Sequence, residues 1–246
     1  MLSKSKLELK KEMQSLPLLD PPRHVRLKFC KVGTLQYISH LDLQRTFNRI
    51  LVRSCIPVWY TQGFNPHIKL VFSTPLSVGS QSVCEYLDIR LSREMPYDEI
   101  KERLNAEMTD EFYITDVYEA KTDFSDITYA SYEIVIHTPK VSEEIANSIC
   151  NEFTASPIYM VKKGKAGEKE IDIVPLIKEI GAVYDAQKGD LKVTALLSAS
   201  TTQYLNPEML IKALDDRYEF FSDNLTQEYY SILRTLLKKE DLSDFF

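Results

Sequence analysis

His24-Val-Arg-Leu-Lys-Phe-Cys-Lys-Val32 alternates apolar and polar residues, and Ser39-His-Leu-Asp42 opens a second pattern soon after it. Period two over nine residues reads as a half-buried strand. Ser39, with an acid three residues on, reads as a helix start of the capping-box kind. That helix runs to about Cys55, before Pro57. Its apolar residues Leu43, Phe47, Ile50 and Leu51 share one face. Extended runs follow at Val58 to Tyr60, Leu70 to Ser73 and Val83 to Leu91. Pro96 precedes a helix from Tyr97 to Met108, and Phe112 to Tyr118 closes the set as a strand. The order is strand, helix, strand, strand, helix, strand, the split βαβ plan of ferredoxin-like folds.

The second half repeats that order. Tyr132 to His137 reads as a strand, and a helix runs from Ser142 to near Ala155. Strands at Ile158 to Lys163 and Lys169 to Val174 flank a Lys/Gly-rich turn. Leu191 to Ser198 is a strand, Asn206-Pro207 opens a helix to about Leu214, and Gln227 to Leu233 is the last strand. Pro175 to Asp190 is an insertion without a place in this plan. Two prolines end any helix, so Leu19-Asp-Pro-Pro22 marks a boundary. The expectation is an α+β chain of two ferredoxin-like modules with antiparallel sheets: a polar extension over 1–22, a first module over 23–122 and a second over 123–246.

The 246 residues are enough for one to two domains at about 150 each. Hydrophobic residues at 44% and charged residues at 27% exclude wholesale disorder. No apolar run approaches the roughly 18 residues of a membrane span. The Lys-rich amino terminus lacks a signal-peptide core, so a cytoplasmic location is the expectation. Seven glycines argue against a glycine-rich nucleotide loop. Cys30, Cys55, Cys84 and Cys150 contain no C-x-x-C pair and no cluster for an iron–sulfur centre, so neither metal nor cofactor is expected. Apolar neighbours predict buried, reduced thiols.

Net charge is −6, yet the segment from Arg23 to Lys69 carries eight basic residues and one acid, a local +7. The local field is what a polyanion meets. Arg45, Arg49 and Arg53 stack along one helix face and repel unless something anionic neutralises them. A solvated face balancing acidic neighbours is the plainer account. The Lys162 to Lys169 turn is a second basic point, a solvated hairpin tip or an extension of the same groove.

Trp59-Tyr-Thr-Gln-Gly-Phe-Asn-Pro-His-Ile-Lys69 is the most distinctive stretch, followed by Pro75-Leu-Ser-Val-Gly79 and Glu85-Tyr-Leu-Asp88. Gly63, Asn65 and Pro66 mark a turn. Aromatics beside cations suit bases and phosphates, so Tyr60, Phe64, Asn65, His67 and Lys69 join the three arginines as candidate nucleic-acid contacts. The competing account is a turn whose Trp59 and Phe64 plug the core. His40 and His67 could act as acid and base on an RNA backbone, or with Asp42 or Glu85 hold a metal, although no H-x-x-x-H spacing exists. His24 and His137 read as structural.

The run Y-T-Q-G-F-N-P-H-I-K, with S-H-L-D-L before it and P-L-S-V-G and E-Y-L-D-I after it, resembles the bacterial radical SAM-linked proteins, a family of unknown function. The resemblance spans roughly Arg23 to Leu237. Thr61 stands where the family has serine, and Ile68 where a second proline is common, which predicts a less rigid loop. Members occur fused to, or encoded beside, a cobalamin-binding radical S-adenosylmethionine protein. The resemblance implies a link to RNA modification or ribosome-related genes. An RNA-binding accessory that presents substrate to a radical S-adenosylmethionine partner is the leading expectation. An RNA-processing enzyme and a purely structural interaction module are the alternatives.

Overall fold

The computed structural model describes residues 5–164, 167–222 and 228–246. The chain divides into two compact units, one of residues 1–78 and 82–123, the other of residues 79–81 and 124–246.

The first unit begins with α1 (Lys6–Ser15). Ser5 and Glu8 close a capping box: the Glu8 carboxylate accepts from the Ser5 amide at 2.7 Å, and the Ser5 hydroxyl accepts from the Glu8 amide at 3.4 Å. β1 (Leu18–Lys31) starts six residues before the alternating stretch and runs straight through Pro21 and Pro22. The prolines interrupt the strand without ending it. Pairing jumps from Leu18↔Arg93 to Arg23↔Leu91, because proline has no amide hydrogen to donate.

α2 (His40–Arg53) follows, with the Ser39 hydroxyl accepting from the Asp42 amide at 3.2 Å. Then come β2 (Val71–Phe72), β3 (Ser80–Arg93), α3 (Tyr97–Asn105) and β4 (Phe112–Glu119). The sheet order is β4-β1-β3-β2, antiparallel throughout. One apolar cluster joins both helices to the sheet: Phe47, Ile50 and Leu51 of α2 and Ile100 and Leu104 of α3 meet Leu27, Phe29, Leu87 and Ile114. Phe29, Phe47 and Phe112 pack edge to face at centroid distances of 4.9–5.7 Å.

The second unit runs β5 (Tyr129–His137), α4 (Glu143–Glu152), β6 (Tyr159–Gly164), β7 (Gly167–Asp172), β8 (Ile177–Asp185), β9 (Asp190–Ser198), α5 (Pro207–Tyr218) and β10 (Tyr229–Lys238). Its sheet order is β10-β5-β9-β8, again antiparallel. β5 buries every second residue, as its sequence requires.

Two sequence assignments reverse here. β6 and β7 form a separate two-stranded ribbon, whereas β8, inside the supposed insertion, is the sheet strand. β8 lies at the sheet edge and is mostly part-exposed, so its period-two signal is weak. Gln227, taken as the start of the last strand, lies outside the described residues, as do Lys165 and Ala166 of the basic turn.

Candidate functional site

The loop between α2 and β2 stands on two rungs. Val58 bridges Leu91 of β3, and Tyr60 bridges Ile68. The Thr61 amide donates to the His67 carbonyl at 2.9 Å, and the His67 amide donates back to the Thr61 hydroxyl at 3.1 Å. His67 Nδ1 lies 3.1 Å from the Asn65 carbonyl oxygen and 3.0 Å from the Thr61 hydroxyl. A carbonyl only accepts, so the Asn65 contact is a hydrogen bond when the proton sits on Nδ1, the tautomer that leaves Nε2 as an acceptor. Gly63 closes the tip at φ 132°, a conformation that a side chain rarely tolerates.

Ile68 is 6% exposed, part of the first unit's core, and anchors the loop by burial. Thr61 supplies a hydroxyl to the rung, as serine would. Phe64 is fully exposed; Tyr60, Asn65, His67 and Lys69 are exposed as well. Trp59 is half-buried, with the Arg90 guanidinium 5.4 Å from its ring centroid. Phe64 therefore does not plug the core.

Four of the eight basic residues in the segment pair with acids. Arg26 is fully buried and grips Asp88 through two bonds of 2.7 and 2.8 Å. Arg53 pairs with Glu107 at 2.6 Å, Arg45 with Asp42 at 3.0 Å and Arg23 with Glu94 at 3.5 Å. The Ser39 hydroxyl, and then Arg45, hold the Asp42 carboxyl below the usual range. Asp42 and Glu107 thus relieve the repulsion along α2. Arg49 has no ion-pair partner among the described residues, and Lys69 is exposed. Exposed pairs of this kind are worth about 0–1 kcal/mol and exchange partners cheaply.

Two cavities flank α2. One of 280 Å³ is lined by Lys31, Arg49, Arg53, Glu107 and apolar side chains. The other, of 440 Å³, lies toward β2 and includes Lys31, His40, Gln44, Ser73 and Glu85. Residues 60–69 line neither. His40 accepts from the Gln44 amide at 3.2 Å if Nδ1 is protonated, and its ring meets Phe72 edge-on at 5.0 Å. The second cavity escaped the sequence reading. Its legible trace is Glu85, an acid at an inward position of a strand whose other inward residues are apolar.

In the second unit, His137 has a polar partner: Asp190 lies 2.6 Å from Nδ1, and Tyr229 stacks on the ring at 4.8 Å. Among the cysteines, Cys30 and Cys84 are buried, and burial pushes the Cys30 thiol up. Cys55 is half-buried and Cys150 exposed, against expectation. Cys150 Sγ instead accepts from the Ala182 amide of edge strand β8 at 3.1 Å. Lys162 of the β6–β7 ribbon donates to the Tyr204 carbonyl at 3.3 Å. Among the described residues, no three His, Cys, Asp or Glu are grouped to share a metal ion, and no helix is long and apolar enough to cross a membrane.

The molecule is an α+β protein with antiparallel sheets whose first unit displays a hydrogen-bonded, aromatic-tipped loop. Its sequence belongs to a family described as uncharacterized proteins conserved in bacteria (DUF2344), whose profile matches residues 24–207. No curated protein matches the chain. Among solved structures, a chain of a Cbf5-Nop10-Gar1 complex is similar over 88% of this chain and 50% of that one, at 13% identity and a TM-score of 0.47. A DypB variant in complex with manganese covers 87% of this chain and 93% of its own, at 9% identity and a TM-score of 0.20. DyPB from Rhodococcus jostii RHA1 gives the same coverage, identity and TM-score.

Proposed function

We propose that this protein is an RNA-binding accessory of two ferredoxin-like modules that presents its RNA to a partner radical S-adenosylmethionine enzyme in the cytoplasm. The observation that carries the reading is Phe64, a fully exposed aromatic at the tip of a loop braced by Thr61, His67 and Ile68. Folding gains nothing from a large apolar ring in water, whereas a pre-ordered ring stacks on an unpaired base without an ordering cost. His67 Nε2, the Asn65 side chain and Lys69 then offer an acceptor, an amide and a cation beside that base. Arg45, Arg49 and Arg53 contribute phosphate contacts by exchanging surface acids for a polyanion. The shared strand order, with the fourth strand beside the first and the third between first and second, supports the ferredoxin-like reading of each unit. The family resemblance in the sequence supports the radical-enzyme partner.

The test is filter binding of cellular RNA to the full chain and to the paired variant Asn65→Ala, His67→Ala. The variant is expected to keep the wild-type melting temperature and to lose at least tenfold in affinity. Equal affinities would remove the loop from the interface. His40 and His67 serve here as binding groups, so RNA incubated with the protein stays intact. Cleavage that vanishes in His67→Ala would replace the binding reading with an enzymatic one.

A further inference from the structure

The 440 Å³ cavity between α2 and the β2 edge is built unlike the rest of the first unit. On β3, residues Glu85, Leu87, Ile89 and Leu91 face the helices; the last three lie in the apolar cluster. Glu85 ends that column opposite Phe29, at 6% exposure. A hydrophobic residue there would serve the core at no desolvation cost, and the position holds a carboxylate instead. Lys31, at 3% exposure, lines the same space. Its ammonium donates to the Gln36 carbonyl at 3.2 Å. Ser73 Oγ, also in the lining, is buried and has no hydrogen-bond partner among the described residues. That hydroxyl at the cavity wall is within bonding reach of whatever fills the space. Phe72 supplies an aromatic wall, and Gln44 and His40 line the same space.

The volume falls within the roughly 300–1,000 Å³ of small-ligand pockets. A carboxylate only accepts and an ammonium only donates, and each has several bonding directions, so both can bind a ligand while keeping bonds within the protein. The ligand they jointly select has adjacent N–H donors on one side and an acceptor on the other. An anion meets Glu85; a cation meets Lys31. Among the four RNA bases, guanine alone sets two adjacent donors, N1–H and the 2-amino group, beside an acceptor, O6. A carboxylate takes the donors pairwise, and lysine on O6 or N7 is a standard guanine contact. The flat apolar faces of the base suit Phe72 and the neighbouring leucines.

We propose that this cavity is a base pocket that accepts one unstacked guanine of an RNA strand. This rests on the RNA-binding reading and adds sequence selectivity to it, since phosphate contacts alone carry none.

Calorimetry of the full chain with guanosine, inosine, adenosine, cytidine and uridine tests it. Guanosine is expected to bind at least tenfold more tightly than the other three standard nucleosides. Inosine, which lacks the 2-amino donor, should fall at least fivefold below guanosine. Glu85→Gln should erase the guanosine–inosine difference. Should that variant fail to fold, Ser73→Ala and Gln44→Leu, at less buried positions, are each expected to weaken guanosine at least threefold with melting unchanged. Equal binding of all nucleosides, or binding of none, overturns the proposal. Filter binding of a guanine-free RNA separates the two readings. If that RNA binds and guanosine does not, the pocket assignment falls while RNA binding stands. If guanosine binds selectively and no RNA binds, the RNA reading falls and the pocket serves a free nucleoside.

Discussion

Between α2 and β3 the chain has residues 54–79, of which only Val71 and Phe72 form a strand. Between α4 and β9 the second unit has residues 153–189, which contain the β6–β7 ribbon and the nine-residue β8. Both connections occupy the same place in one strand order. In the second unit a full edge strand packs against α4, and the Cys150 thiol meets one of its outward amides. In the first, two residues of strand leave the flank of α2 open as the 440 Å³ cavity, and the chain thus released stands out as the Phe64 loop. Where an edge strand is cut short, backbone and apolar surface become available for recognition, and burial must be recovered at a few anchors such as Ile68.

The largest expected effect separates anchor from display. Phe47→Ala empties the aromatic cluster under α2 and should cost about 3–5 kcal/mol in urea unfolding. Phe64→Ala removes a ring of the same size from water and should stay within about 0.5 kcal/mol. A cost above 2 kcal/mol for Phe64 would make the loop a structural element like β8. Next, Phe64→Ala should weaken RNA by about 1–3 kcal/mol, the usual share of one stacked base. An undiminished affinity would end the contrast between the two connections.

The charge contacts sharpen the comparison further. With Arg45, Arg49, Arg53 and Lys69 on four phosphates, log K should fall with log salt at a slope of roughly −3, at about 0.7–0.9 per contact. Gln in place of the three arginines should leave roughly −1. Gln at Lys162 and Lys169 of the second unit's ribbon should change the slope by less than about one. A larger change would bring the ribbon into the interface.

The smallest effect is a pH dependence with one group in each unit. Burial pushes both Tyr118 and Tyr230 up to about 12, and for Tyr230 the 2.6 Å bond to Glu208 adds to it. Each fold favours the neutral phenol. Their contribution is complete below the unfolded tyrosine value near 10 and is lost as pH rises from there to about 12. Tyr230→Phe should flatten that part of the alkaline stability curve, followed by urea titrations between pH 9 and 12. A variant curve parallel to wild type would place the alkaline loss elsewhere.

Local chemistry alone determined α2, the later part of β1 from His24 on and β5 from Tyr132 on: period-two alternation, a Ser39 cap and a single apolar helix face depend only on near neighbours. The turn at Gly63 to Pro66 was legible for the same reason. Distant partners decided the rest. Arg26, Arg45 and Arg53 count equally in a charge tally, yet Asp88 and Glu107 come from elsewhere in the chain and Asp42 from the adjacent helical turn, and each of the three arginines ends up paired. β8 is a strand because β9 pairs with it, though its own pattern is faint, and β6–β7 stands apart although its pattern is no weaker. Glu85 and Ser73 are twelve residues apart in sequence, and only the β2–β3 pairing sets both beside one cavity. Hydrogen-bond ladders, ion pairs and burial join residues by distance in space, which no window of sequence contains.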